Sequence, residues 1–249
     1  MGDIIDTLFD PGATDPAYAA VAFRALLFQL LWTIEAFNRY GLRHNDLHPG
    51  NVFASSYDKW GVFQLPEGGV TFYVPRGSMR PYIYDFDRSV WTAKGAVPQE
   101  NAWVSGESYL CRSYGSCSDP NPYYDAYRVL EGVEADMDAK GLLSDDDEEL
   151  DWIPLREFLG RVAAPELRQE MLLVGSGRGE DAQKAINNSV FLRSGGGGDY
   201  VPLPGEMLDV TQMLMDPYFA PLRDPSSVKG VRLAMRSVAD EPYVMPMSA

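Results

Sequence analysis

The sequence has few cysteines, which cross-link small extracellular domains, and few basic residues, which contact nucleic acids. It holds two cysteines and two histidines among 249 residues, and its 21 basic side chains stand against 36 acidic ones, for a formal net charge of -15. So few cysteines exclude a disulfide framework, and the negative charge opposes binding to nucleic acids and to anionic membrane surfaces. Because 45% of the residues are hydrophobic, the chain can bury the core of one large domain.

Uninterrupted apolar runs are also missing. The longest apolar stretch, 17–37, is broken by an arginine, a glutamine and a glutamate, which favours a buried amphipathic helix over a transmembrane span. The N-terminal residues have neither the basic flank nor the apolar run of a secretory signal. We therefore expect an intracellular protein without membrane or nucleic-acid partners, in which Cys111 and Cys117 are free thiols.

Helical patterns dominate the chain. The first predicted helix runs from Asp15, a suitable N-cap followed by proline, to about Tyr40, and Gly41 stops it. Further helical patterns cover 123–140, 155–162, 165–174 and 208–215. Only short strands are predicted, near 62–63, 70–74 and 82–84. The expected fold class is therefore mainly α with a small β element.

Acidic and glycine-rich segments interrupt the second half of the chain. The run 144–151 is almost entirely acidic and is interpreted as a solvated loop. The glycine-rich segments 175–179 and 195–198 lack the strand and helix that flank a phosphate-binding loop, so they are interpreted as flexible loops. The tail from Asp224 onward is rich in proline and serine and is interpreted as an extended arm.

Candidate chemistry is concentrated directly after the first helix. Both histidines of the chain lie in His44–Asn51, which reads HNDLHPGN, and a second polar segment, Tyr84–Asp87, follows a short strand. Phosphoryl transfer needs a carboxylate for the attacking hydroxyl and oxygen ligands for magnesium. Asp46, Asn51 and Asp85 have the required types and order. The alternative is that they only stabilise turns, in which Asp, Asn, Pro and Gly are common.

The two segments together resemble the protein kinase superfamily. His44–Asn51 is similar to its catalytic loop, and Tyr84–Asp87 is similar to its magnesium-binding Asp-Phe-Gly segment. The resemblance implies that Asp46 is the catalytic base or orients the substrate hydroxyl. It implies that Asn51 and Asp85 hold magnesium on the nucleotide phosphates, so ATP and Mg²⁺ are the expected cofactors.

The same resemblance implies roles for four further residues. His48 replaces the lysine of serine/threonine kinases and is assigned to the catalytic site. Asp87 replaces a glycine, and its carboxylate either joins the metal site or faces solvent. His44 is expected to pack beneath the metal loop, and Asp125 is expected to anchor the backbone of the catalytic loop. Residues 213–219 resemble the helix that closes the C-terminal lobe of kinases.

The kinase pattern is incomplete at its start. Only fifteen residues precede the first helix, which leaves no room for a glycine-rich loop, a phosphate-contacting lysine or the regulatory helix. The implied architecture is a kinase-like C-terminal lobe that lacks the N-terminal β lobe. Its expected parts are the lobe itself (1–223), the catalytic loop (44–51), an insertion (about 54–81), the metal loop (85–87) and the tail (224–249).

Three functions agree with these features. The first is a serine/threonine kinase-like phosphotransferase that acts on a protein or small-molecule hydroxyl and receives its N-terminal lobe from a partner protein or from a missing part of the same gene product. The second is an inactive pseudokinase that serves as a scaffold or assembly component. The third is a small-molecule kinase, which His48 favours. The loop also resembles kinase-like proteins of large DNA viruses, which implies a location in the cytoplasm or within a viral particle.

Overall fold

A computed structural model describes part of the chain. The described residues are 16–56, 59–65, 69–91, 122–139, 152–163, 165, 207–226 and 243–246. The helices are α1 (Pro16–Arg39), α2 (Tyr124–Ala139), α3 (Ile153–Val162) and α4 (Val210–Leu214). The strands are β1 (Leu42–Arg43), β2 (Val52–Ser56), β3 (Gly61–Gln64), β4 (Thr71–Val74), β5 (Met79–Ile83), β6 (Val90–Trp91) and β7 (Tyr243–Pro246). Single 3-10 segments occur at Pro49–Asn51, Phe86–Arg88 and Pro217–Arg223.

Several sequence predictions concern residues outside the described part. They are the two cysteines, the acidic run 144–151, both glycine-rich segments, and the predicted helix 165–174 apart from its first residue.

Helix α1 is the centre of the core. Its Phe28 is fully buried, and its ring centroid lies 5.4 Å from Phe63, 4.7 Å from Phe72 and 5.8 Å from Phe219. Each such aromatic pair adds about 0.5–1.5 kcal/mol to the gain from burial. The helix ends where Gly41 adopts a left-handed φ of 68°, a conformation that glycine takes without strain. The main chain then enters β1 and the His44–Asn51 loop.

By length and composition alone, α1 could also cross a membrane. The segment Tyr18–Arg39 has a mean hydropathy of 1.5, and 67% of its most apolar window is buried inside the protein. A core helix with these properties passes the same test.

The strands form three small sheets. β1 pairs with β6 and β2 pairs with β5, both antiparallel. In the third sheet β3 lies between β4, which is antiparallel to it, and β7, which is parallel. The side chain of Gln29 on α1 donates a 2.7 Å hydrogen bond to the Met79 carbonyl of β5. The two-stranded β2–β5 sheet is therefore fixed against the central helix.

The predicted fold class, mainly α with a small β element, is wrong. The described residues are 56% helix and 19% strand, so this part of the chain is mixed α/β. The strands have two to five residues, too few to produce a clear alternation of polar and apolar residues. The stretch 54–81, interpreted as an insertion, holds β3 and β4 and contributes two of the rings around Phe28. Pairing of β7 with β3 joins segments about 180 residues apart, which no local pattern indicates.

Candidate functional site

The backbone of the His44–Asn51 loop is held by a buried carboxylate on α2. Asp125 is 1% exposed. Its two oxygens accept hydrogen bonds from the N–H groups of His44, at 2.7 Å, and Asn45, at 2.9 Å. Hydrogen bonds to a charged group are stronger than neutral ones. One side chain therefore fixes two consecutive peptide groups at the start of the loop.

Two further contacts join this loop to the segment after β5. His44 is fully buried, and its Nδ1 accepts from the Asp46 N–H at 3.3 Å. These partners assign the proton to Nε2, which donates to the Tyr84 carbonyl at 2.9 Å. The imidazole also packs on Phe86, with centroids 4.7 Å apart. Asn45, at a left-handed φ of 69°, donates from Nδ2 to the Arg88 carbonyl at 3.0 Å.

Asn51 lies directly before β2, at one end of the two-stranded β2–β5 sheet. Its backbone carbonyl accepts a hydrogen bond from the Tyr84 N–H at 3.2 Å. Asp85 follows Tyr84 in the chain, so Asn51 and Asp85 lie at the same end of this sheet. Its side-chain Nδ2 donates to the Asp46 carbonyl at 2.9 Å. Among the described residues no hydrogen bond reaches the Oδ1 atom of Asn51, which leaves this oxygen available as a ligand.

Asp85 occupies the left-handed region, with φ 66° and ψ 61°. Aspartate tolerates this conformation better than most residues, although outliers of this kind are concentrated at functional sites. The carboxylate is exposed, and it makes no hydrogen bond or ion pair with the described part of the chain. Asp87, also exposed, lies within the 3-10 segment that follows. The pairing of β2 with β5 thus places two oxygen donors, Asn51 and Asp85, on adjoining segments.

The Asp46 carboxylate pairs with a residue that the sequence analysis missed. Arg88 Nη1 lies 2.8 Å from Asp46 Oδ2, and the two side chains are 32% and 13% exposed. Arg88 ends the 3-10 segment that begins at Phe86. The available signal was a single cation directly after Asp-Phe-Asp, but the pairing depends on how the chain turns at Asp85.

His48 faces several charges. Its Nδ1 accepts from the Gly50 N–H at 3.0 Å, which requires an unprotonated Nδ1. Burial lowers the pKa of His48 below 6.5, Asp46 opposes this shift, and Arg128, Arg88 and His44 reinforce it. The imidazole is therefore neutral at pH 7.

This lowered pKa predicts how His48 affects stability. Well above pH 6.5 the histidine is neutral in both the folded and the unfolded state, and its contribution to stability is complete. As the pH falls below 6.5 the unfolded chain takes up the proton first, so the native state loses stability down through the lowered pKa. We expect the unfolding free energy of the wild type, relative to His48→Gln, to fall between pH 7 and pH 5 in urea titrations. A difference that is constant over this range would contradict the assignment.

The loop also packs tightly on α2. A Cβ atom added to Gly132 would lie 2.3 Å from Cδ and 2.4 Å from Cγ of Pro49. The proline ring is rigid, so either the helix or the loop must move. Although alanine is normally favoured over glycine in helices by about 1 kcal/mol, we expect Gly132→Ala to lower the unfolding free energy by about 1–3 kcal/mol because of this overlap. Urea unfolding measures the change.

The matched control for Gly132→Ala removes the Pro49 atoms that the added methyl group would overlap. Pro49→Ala lacks Cγ and Cδ, so the double variant should regain at least about 1 kcal/mol relative to the sum of the single changes. Additive effects of the two substitutions would show that the contact between Gly132 and Pro49 is not tight.

A surface cavity of about 370 Å³ lies away from these residues, between the end of α1 and the start of α4. Its polar groups satisfy one another: Glu35 accepts from Arg39 and Thr211, and Asn38 donates to the Pro122 carbonyl. The candidate chemistry lies instead on the open surface around Asp85. We assign the cavity no role.

The described side chains form no cluster of three or more typical metal ligands, and comparisons with known proteins give no relative. Among the described residues no group of three or more His, Cys, Asp and Glu side chains could hold a metal. No family model, curated protein or solved structure matches the chain. The contacts between the His44–Asn51 loop and the segment after β5 are therefore the main indication of function.

Proposed function

We propose that the chain carries the catalytic and magnesium-binding half of a protein kinase-like phosphotransferase, which moves the terminal phosphate of ATP to a serine or threonine hydroxyl. The observation that carries the proposal is the hydrogen bond between Asn51 and Tyr84. It sets the end of one polar segment beside the start of the other. Asp46, Asn51 and Asp85 are then linked through a few bonds of fixed backbone.

The donor set fits magnesium. Mg²⁺ prefers oxygen ligands and is usually bound by one or two carboxylates together with substrate phosphates, rather than by a cage of protein ligands. The Oδ1 atom of Asn51 and the exposed carboxylate of Asp85 are donors of this kind. When bound, the ion would neutralise charge that develops on the phosphates. Asp87 lies two residues further on and could add a carboxylate to the same set.

Asp46 is the residue proposed to act on the substrate hydroxyl. As the hydroxyl oxygen attacks the terminal phosphorus, the bond to the ADP oxygen breaks and the hydroxyl proton passes to the Asp46 carboxylate. His44 and Asn51 fix the backbone of Asp46 on either side of its side chain. Such positioning is the main contribution of a protein to phosphoryl transfer.

A partner chain is part of the proposal. Phe53 pairs directly with Tyr82 across the two-stranded β2–β5 sheet. Tyr84 follows two residues after Tyr82, so the three rings share one face. They are 60%, 47% and 38% exposed, and Phe53 stacks on Tyr84 with centroids 4.5 Å apart. Contiguous exposed aromatic surface is typical of interaction sites. We infer that a second polypeptide covers this face and completes the nucleotide cleft.

The test is a calorimetric titration of ATP into the full chain, with Mg²⁺ and again with EDTA. The account predicts saturable binding that requires the metal. Absence of heat with the folded protein would reject nucleotide binding by the chain on its own and would favour the second function, an inactive scaffold. The specific observation in favour of that function is the Arg88–Asp46 pair, which occupies the proposed base.

A further inference from the structure

We propose that Arg88 is a phosphate-binding residue that leaves Asp46 when nucleotide enters, so that one guanidinium alternately blocks the base and holds the phosphate. The inference rests on the proposed function and adds to it a cation and a resting state. It starts from the ion pair between Arg88 Nη1 and Asp46 Oδ2.

The negative charge around the site favours a protein cation that contacts the phosphates alongside Mg²⁺. Asp46, Asp85 and Asp87 place three carboxylates within one loop and the neighbouring 3-10 segment. A polyphosphate that approaches them meets repulsion. Arg128 lies near enough to affect His48, but its guanidinium is paired with Glu131 on the same helix. Arg88 is therefore the cation whose present partner is itself a residue of the proposed site.

A phosphate group can compete with Asp46 for Arg88. The Arg88 side chain is 32% exposed and that of Asp46 is 13% exposed, so the guanidinium can be reached from solvent while it holds the carboxylate. A phosphate group offers the guanidinium two parallel charge-assisted hydrogen bonds, which are stronger than a single bond to a carboxylate oxygen. The backbone need not move, since the Arg88 carbonyl stays on Asn45 Nδ2.

The exchange also changes what Asp46 can do. While Arg88 holds Oδ2, a substrate hydroxyl competes with a cation for the carboxylate. Once Arg88 binds phosphate, the carboxylate is free to accept the proton. The nucleotide therefore prepares the base that acts on the second substrate.

The experiment compares binding of Mg-ATP and of Mg-tripolyphosphate, which has no base or ribose, to four forms of the chain. They are the wild type, Arg88→Gln, Arg88→Lys and Arg39→Gln. Arg39 pairs with Glu35 at 2.8 Å with side chains 20% and 12% exposed, so it is a matched ion pair outside the site. Urea unfolding verifies that each variant is folded.

We expect Arg88→Gln to lower the affinity for both ligands by at least about tenfold, because the substitution removes a charge-assisted contact to phosphate. Arg88→Lys keeps the positive charge but lacks the planar guanidinium that can donate two parallel hydrogen bonds, so its affinity should be intermediate. Arg39→Gln should stay within about twofold of the wild type. Equal affinities in Arg88→Gln and the wild type would overturn the inference while leaving the proposed function intact.

A spectroscopic measurement gives an independent decision. The Nε–Hε signal of Arg88, assigned by its absence in Arg88→Lys, should shift on addition of Mg-tripolyphosphate as the guanidinium leaves Asp46. An unchanged signal at saturation would overturn the inference. If the wild type binds tripolyphosphate through Arg88 but does not bind ATP, the proposed function fails and the phosphate site stands. If neither ligand binds, both fail.

Discussion

Asp125→Ala is expected to lower the free energy of unfolding by about 3–5 kcal/mol. Two hydrogen bonds to a charged group are lost, each with a typical value of about 1.5–3 kcal/mol. The N–H groups of His44 and Asn45 then remain buried without their acceptor. Asn45 stays at a left-handed φ of 69° without the contact that offsets this strain. Urea unfolding followed by circular dichroism gives the value by linear extrapolation.

Two controls separate the anchoring role of Asp125 from a general effect of charge. Asp125→Asn keeps the shape and one acceptor oxygen, so its loss should be intermediate. Asp138→Ala removes an exposed carboxylate from the same helix, about 20 Å along its axis, and should change stability by less than about 0.5 kcal/mol. A loss below about 1 kcal/mol for Asp125→Ala would contradict the claim that this side chain fixes the loop.

Asp85→Asn is expected to weaken binding of Mg-ATP by about 100-fold or more. Loss of residues that merely support a metal ligand costs about 10–100-fold, so loss of a charged ligand itself should reach or exceed the upper value. Asparagine also tolerates the left-handed φ of 66° found at this position. The substitution therefore changes the charge and leaves the turn intact. Calorimetric titration with Mg²⁺ measures the effect, and with EDTA the two proteins should behave alike.

Asp87→Asn tests whether the second carboxylate of this segment also belongs to the metal site. The two carboxylates are both exposed and lie two residues apart. A large loss of affinity in Asp87→Asn as well would place both in the metal site, whereas unchanged affinity would leave Asp87 facing solvent. Equal affinity for Mg-ATP in Asp85→Asn and the wild type would remove the basis for the metal site.

The elements that sequence alone could predict are those with strong local signals. The sequence predicts α1 over about 15–40, and the helix is found over Pro16–Arg39, because a proline at the start, a glycine after the end and a long apolar pattern all agree. The start of α2 follows from similar signals. The β structure was underestimated because β1 and β6 have two residues each, and strands this short form through their partners.

The candidate site shows the same division. The residue types and order of Asp46, Asn51 and Asp85 are visible in the sequence, where they match the set that phosphoryl transfer would need. The pairing of Arg88 with Asp46 joins residues 42 positions apart and depends on the left-handed turn at Asp85. The fit of Pro49 against Gly132 depends on how the loop packs on α2. Neither contact has a sequence pattern.

The central claim is that the His44–Asn51 loop and the segment after β5 hold one metal ion together with a nucleotide. The most direct test replaces magnesium by Mn²⁺, which takes the same oxygen ligands and broadens the NMR signals of nearby nuclei. In the presence of ATP the account predicts that the side-chain amide signal of Asn51 and the backbone amide signal of Asp85 broaden at the same Mn²⁺ concentration, and that Asp85→Asn abolishes both effects. Broadening confined to other acidic parts of the chain, with these two signals unchanged, would contradict it.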